Sequence, residues 1–188
     1  MNVIINSGRE KSLLRRHPWI FASAIKSVDA EPASGGTVDL LSSEGHFLAR
    51  ASYSPISQIR ARAWTFNDEP VDKEFFRKRI RAAIDMRYSI FDTSDSMRLI
   101  HAESDGIPGL IVDRYNDILV LQSLTAGSEF WKEIIADILV EDSIILELKT
   151  VEFISKYEKA KTTKPDVTSK VATRQGTISV INIFLTGK

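Results

Sequence analysis

The stretch Arg98–Tyr115, RLIHAESDGIPGLIVDRY, restricts the fold more than any other part of the chain. An alternating run from Leu99 to Glu103 meets the turn cluster Ser104–Pro108. A second apolar run, Leu110, Ile111 and Val112, follows and ends in Asp113-Arg114-Tyr115. Asp105-Gly106 and Pro108-Gly109 are turn dipeptides, because glycine accepts positive φ and proline holds φ at about −65°. Two apolar runs across such a turn predict an antiparallel strand pair. A further turn at Asn116-Asp117 leads into Ile118–Leu121, a third strand. The piece reads as a meander at the centre of a small α+β domain. Its polar residues His101, Glu103, Asp105, Asp113 and Arg114 have two explanations, catalysis and turn chemistry, and turn chemistry is the simpler.

Upstream, the apolar runs are short. Val3–Ile5 is a strand, and Glu10–Arg16 is a brief helix stopped at His17-Pro18, since the residue before proline avoids the α region. Trp19–Phe21 is extended. Thr37–Leu41, His46–Tyr53 and Ile59–Trp64 are strands, the last two alternating, joined by glycine and serine turns. Short strands at this spacing predict a small β-barrel over residues 1–68. Within Ile59–Trp64, the period of two sets Arg60 and Arg62 on one face and Ile59, Ala61 and Ala63 on the other.

Charge is spread unevenly. The whole chain balances 25 Lys and Arg against 25 Asp and Glu, which excludes a wholly basic nucleic-acid binder and leaves room for a local patch. Residues 1–62 carry Arg9, Lys11, Arg15, Arg16, Lys26, Arg50, Arg60 and Arg62 against Glu10, Asp29, Glu31, Asp39 and Glu44. The excess clusters at Arg9–Arg16, beside His17 and Trp19. Cations next to a stacking ring are the composition of an RNA-facing surface. A solvated turn with Trp19 in the core accounts for the same residues.

Downstream of Asp68-Glu69-Pro70, Lys73–Phe91 is the strongest helix. Phe76, Ile80, Ala83 or Ile84, Tyr88 and Phe91 form its apolar stripe, and Arg77, Lys78, Arg79, Arg81 and Arg87 make the other face basic. A second helix, capped by Ser128, buries Phe130, Ile134, Ile138 and Val140, with Trp131 and Ile135 beside them. Ser143–Leu148 reads as a strand. These elements form an α+β domain over residues 72–155. Residues 156–188 read as a polar loop followed by a strand, Thr177–Leu185, placed to close the central sheet.

Several classes drop out. There is no cysteine, hence no disulfide, thiolate nucleophile or cysteine-ligated zinc. His17, His46 and His101 are scattered, so no metal site is expected. No segment approaches the roughly 20 apolar residues of a membrane span, so a cytoplasmic protein without membrane contact is expected. Gly35-Gly36 leads into a strand and Gly106 and Gly109 lie between strands, so no nucleotide, S-adenosylmethionine or other cofactor site is expected, nor any catalytic residue.

Three blocks carry a resemblance. Lys11-Ser12-Leu13-Leu14-Arg15-Arg16-His17-Pro18-Trp19-Ile20-Phe21 with Ser23-Ala24-Ile25 is the first. Tyr53-Ser54-Pro55-x-Ser57-Gln58-Ile59-Arg60-x-Arg62 is the second, and Glu103–Tyr115 with Leu121-Gln122 the third. In this order they resemble the front part of the RlmI-like (YccW-like) class I S-adenosylmethionine-dependent large-subunit rRNA cytosine-C5 methyltransferases. The resemblance implies an RNA-binding PUA domain, a small central α+β domain and, in the full-length family, a Rossmann-like domain that binds S-adenosylmethionine. The expectation is that this chain lacks that last domain, as a fragment, a truncated product or a stand-alone domain pair. It is also expected not to transfer a methyl group, since the family's cytosine chemistry uses a cysteine that this chain does not have.

The reading is therefore an RNA-recognition portion of an rRNA methyltransferase, with large-subunit rRNA as partner and a homodimer left open. Arg15, Arg16, Arg60 and Arg62 are the expected phosphate contacts, with Trp19 as a stacking ring and Arg9, Lys11 and Arg50 secondary. The alternatives are an inactive or stand-alone adaptor and, least favoured, a small hydrolase-like enzyme using the meander carboxylates.

Overall fold

The computed structural model of the chain describes residues 1–90, 96–116, 118–141, 150–155, 169–173 and 178–181. Two mixed sheets share them. The first holds β1 (Asn2–Ile5), β2 (Trp19–Phe21), β3 (Ile25–Val28), β4 (Thr37–Leu41), β5 (Phe47–Tyr53) and β6 (Ile59–Thr65), with α1 (Lys11–Leu14) between β1 and β2. Its strand order is β2-β6-β5-β4-β1-β3. All pairs are antiparallel except β1 with β4. β2 and β3 lie at opposite edges, yet only the 3₁₀ turn Ala22–Ala24 separates them in the chain. Three residues cannot span a flat six-stranded sheet, at about 4.8 Å per strand. The sheet therefore curls until its edges approach. Val3, Ile5, Ile20, Val38, Leu40, Ala49, Ala51, Ala61 and Ala63 fill the inside of the curl.

α2 (Lys73–Tyr88) follows, capped by Asp72, whose carboxylate accepts from the Phe75 amide at 2.9 Å. The expected stripe is buried at Phe76, Ile80, Ala83 and Ile84. β7 (Ser96–His101), β8 (Leu110–Tyr115) and β9 (Ile118–Ser123) then form the predicted meander. The first strand stops earlier than its alternation suggests. Ala102–Asp105 is a 3₁₀ turn, entered through Ala102 at φ 47° and left through Gly106 at φ 70°. α3 (Ala126–Glu141) crosses over to β10 (Thr150–Ser155), which runs parallel to β9, and β11 (Ser169–Thr173) and β12 (Ile178–Ile181) complete the order β12-β11-β10-β9-β8-β7.

Three expectations change. The α3 cap is Thr125, not Ser128: Thr125 Oγ1 accepts from the Ser128 amide at 3.3 Å, and Ser128 Oγ accepts from the Thr125 amide at 3.2 Å. This reciprocal pair starts the helix three residues earlier, at Ala126 rather than Glu129. Phe130, expected in the core, is 52% exposed, whereas Ile135 and Ile138 are buried as expected and Leu139 joins them. β3, β10 and β11 had no expected counterpart. The expected strand Ser143–Leu148, most of the expected polar loop, and Phe91 and Asp117 lie outside the described residues.

The two sheets meet along β6. Its Ala61 and Ala63 point into the curl, as the period of two requires, but the outward face is not solvent. Trp64 belongs to the second core, edge-on to Phe76 at 5.2 Å between ring centroids. Gly127 makes that contact possible: a Cβ there would lie 2.5 Å from the Ser52 side chain and 2.7 Å from the Trp64 ring. Among the described residues no helix is long and apolar enough to cross a membrane.

Candidate nucleic-acid interface

α1 is a single turn, too short to hold itself by propensity. Buried Leu13 anchors it to the curled sheet and turns Arg9, Lys11, Arg15 and Arg16 outward. All four are exposed, and among the described residues none has an acidic partner. Arg15 closes the turn, and Arg16 adopts φ 59°, a left-handed conformation that aims the chain back toward β2. The Arg16 guanidinium lies over the Phe66 ring, 5.9 Å from its centroid. This is the cationic patch the sequence predicts, on the surface and beside Trp19 and Phe21, which are 38% and 49% exposed.

Trp19 is held rather than free. Its indole Nε1 donates to Glu103 Oε1 at 2.8 Å. His17 stands edge-on to it at 5.8 Å, and Arg62, its partner across the β2–β6 ladder, lies 5.3 Å from the ring centroid. Arg62 Nη1 is also 3.5 Å from Glu103 Oε1. Burial lowers the Arg62 pKa and Glu103 opposes that shift, so the guanidinium is a poorly hydrated cation. Glu103 is the residue sequence reasoning undervalued. It was legible only as part of a turn, and the left-handed Ala102 before it turns the chain toward β2.

The remaining expected contacts separate. Arg60 is half-buried and bonds to the Pro55 carbonyl, and it lines a small pocket with Arg62. Arg50 is committed elsewhere. Its guanidinium bonds to Asp39 at 2.6 Å, to Asp68 at 2.9 Å and to the Glu69 carbonyl. The hydrogen bond to Asp39 is the main cause of its raised pKa. It is a clamp between β4, β5 and the segment leading to α2. Three arginines of the basic face of α2 are likewise used internally, while Lys78 and Arg81 are exposed. Arg77 pairs with Glu74 and Glu141, Arg79 stacks on Phe75 at 4.4 Å and reaches the Gly106 carbonyl, and Arg87 chelates Asp105.

The meander carboxylates have partners too. Asp105 holds Arg87 through two 2.8 Å bonds and Asp113 holds Arg98 at 2.8 and 3.1 Å. Glu103, on Trp19, makes the third carboxylate of the meander with a hydrogen-bond partner. Among the described residues no group of three or more metal-ligating side chains forms. A Cβ at Gly35, Gly106 or Gly109 would collide with Ala126, Arg79 or Thr125, so these turns pack tightly against their neighbours.

A curled sheet with a cationic, partly aromatic edge, joined through Trp64 to a mixed α/β unit, defines the class: a PUA-like domain in front of a second domain. Residues 3–66 match the PUA-like domain family. The chain is 50% identical over 141 residues to ribosomal RNA large subunit methyltransferase I of Vibrio campbellii, covering 74% of this chain and 36% of that protein. Its counterpart in Vibrio cholerae is 48% identical over 140 residues, and that in Yersinia pestis 48% over 142. The chain thus spans about a third of the length of these relatives. The resemblance carried by the three sequence blocks, to the front part of this methyltransferase group, holds. A solved structure from Streptococcus mutans, described as a candidate SAM-dependent methyltransferase, shares the fold with a TM-score of 0.69 at 13% identity, covering 95% of this chain and 50% of that one. Another candidate methyltransferase, complexed with SAH, reaches 0.72 at 14% identity, covering 97% and 48%.

Proposed function

We propose that the chain is the RNA-recognition portion of a large-subunit rRNA methyltransferase, with residues 1–68 as the RNA-binding domain and residues 72–155 as the central domain that braces it. The observation that carries this is the exposed set Arg9, Lys11, Arg15 and Arg16 beside Trp19 and Phe21, on a PUA-like domain. Phosphate contacts from these side chains supply affinity, and a ring gives an unstacked base a platform. Arg60 and Arg62 extend the footprint along β6, and Arg50 contributes through the shape of the sheet. The relatives' names support large-subunit rRNA as the partner. Methyl transfer and S-adenosylmethionine belong, in this reading, to the part of those proteins that this chain does not match. This cysteine-free chain has no thiolate to attack a cytosine.

The test is fluorescence anisotropy of the chain against a large-subunit rRNA hairpin and a DNA duplex across a salt series. RNA-preferring binding whose logarithm falls linearly with log salt is expected. Equal or absent binding to both at low salt removes the reading.

A further inference from the structure

We propose that the seam between the curled sheet and the start of α3 is a binding site for a single phosphate group. β9, α3 and β10 form a parallel strand–helix–strand unit, and α3 opens at the carboxyl end of β9. Phosphate groups are held at that end of such units, where unbonded amides and the helix dipole converge. Thr125 caps the Ser128 amide, but the amides of Ala126 and Gly127 have no acceptor among the described residues. Both residues line one small pocket together with Ser54, Ser57, Arg60 and Arg62.

A second observation is independent of the helix. Ser54 is 8% exposed and lines this pocket, and its Oγ has no hydrogen-bond partner. A buried hydroxyl is normally satisfied, and this orphan belongs to a residue that lines the pocket together with a helix start and two arginines. The charge agrees. Among the described residues no acidic side chain lines the pocket. Burial already disfavours the Arg62 cation, with Glu103 as its nearby counter-charge, so an anion between Arg60 and Arg62 would relieve it. Donors from a helix, a serine and two guanidinium groups suit the several oxygens of a tetrahedral oxyanion better than a planar carboxylate. The phosphate can come from an RNA backbone or from a free phosphate or monoester. The site shares Arg60 and Arg62 with the RNA reading but does not require it.

The probe is inorganic phosphate, titrated into the chain at ionic strength held constant with chloride and followed by calorimetry and thermal unfolding. Saturable heat and a rising unfolding midpoint are expected. Ser54→Ala and Arg60→Gln should each weaken phosphate binding about tenfold, as the loss of a bond to a charged group does. Ser54→Ala should be no less stable than wild type in chloride alone, because it removes a hydroxyl that has no partner. A merely structural serine would show the opposite. If phosphate displaces RNA and Ser54→Ala weakens every RNA sequence alike, the occupant is a backbone phosphodiester. If RNA affinity is unchanged, it is a free phosphate or monoester. Either outcome keeps the site. Phosphate that stabilises the wild type no more than chloride does overturns it, whether or not RNA binds.

Discussion

Glu103 Oε1 accepts the indole hydrogen of Trp19 at 2.8 Å, across 84 residues of sequence. The same oxygen lies 3.5 Å from Arg62. One carboxylate thus pins a surface ring of the first sheet to the 3₁₀ turn of the second. Glu103→Gln removes the charge and weakens both contacts. An unfolding midpoint lowered by the equivalent of about 1–2 kcal/mol is expected, with a red-shifted Trp19 emission. Trp19→Phe should cost a similar amount, and the double variant less than the sum. Additive costs would show that the bond joins nothing.

The α1 patch makes a different prediction. Arg15→Ala combined with Arg16→Ala gives up only the contact of Arg16 with the half-buried Phe66 ring and should lower stability by no more than about 1 kcal/mol. It should weaken RNA binding and reduce the salt slope by about one to two. Arg50→Ala should do the reverse. It breaks bonds to Asp39 and Asp68 and should lower stability with little change in slope. Slopes measured on both variants decide which arginines face the ligand.

Arg87 and Asp105 form a buried pair, with side chains 15% and 4% exposed. Asp105 also accepts from the His101 amide at 2.5 Å. Asp105→Asn strands the guanidinium and should cost about 3 kcal/mol by chemical denaturation. Divalent cations should not raise the wild-type midpoint. A cation-dependent rise that disappears in Asp105→Asn would instead reveal metal-linked chemistry in the meander.

Glu141 ties the end of α3 to α2. Its hydrogen bond from Lys73, at 2.6 Å, is the main cause of a lowered pKa, and Arg77 adds to it. A carboxylate with a folded pKa below its unfolded one adds stability above the unfolded value and loses it as pH falls through the folded one. Wild type should therefore lose more stability than Glu141→Gln between neutral and acidic pH. High salt should narrow the gap, because the carboxylate is at the surface. An identical acid profile for the two would show that the pair is not coupled to folding.

Much of the fold was legible from local pattern. Alternation and turn residues located β4, β5, β6, β8 and β9 within a residue or two, while β7 begins three residues before the expected Leu99, because a period of two and glycine at positive φ are local properties but strand ends are not. The stripe Phe76, Ile80, Ala83 and Ile84 was legible for the same reason. β3 was not, since IKSV has no clean alternation and exists because β1 offers it an edge. The α1 cations were legible as a cluster, whereas the commitment of Arg50 and the α2 arginines was not, because their acids come from other elements.

The sequence by itself determined most of the strands and helices, the inside of the curled sheet and the surface cations, all of which follow from spacing along one segment. Only the tertiary structure decided what lies outside β6. Spacing sets Arg60, Arg62 and Trp64 on one face but cannot say whether that face meets water. Packing of α2 and α3 buries Trp64 and brings Ser54 to the start of α3. The 3₁₀ turn at Ala102 delivers Glu103 to Trp19. Such contacts join residues tens of positions apart, so their energies appear only once the chain has closed on itself.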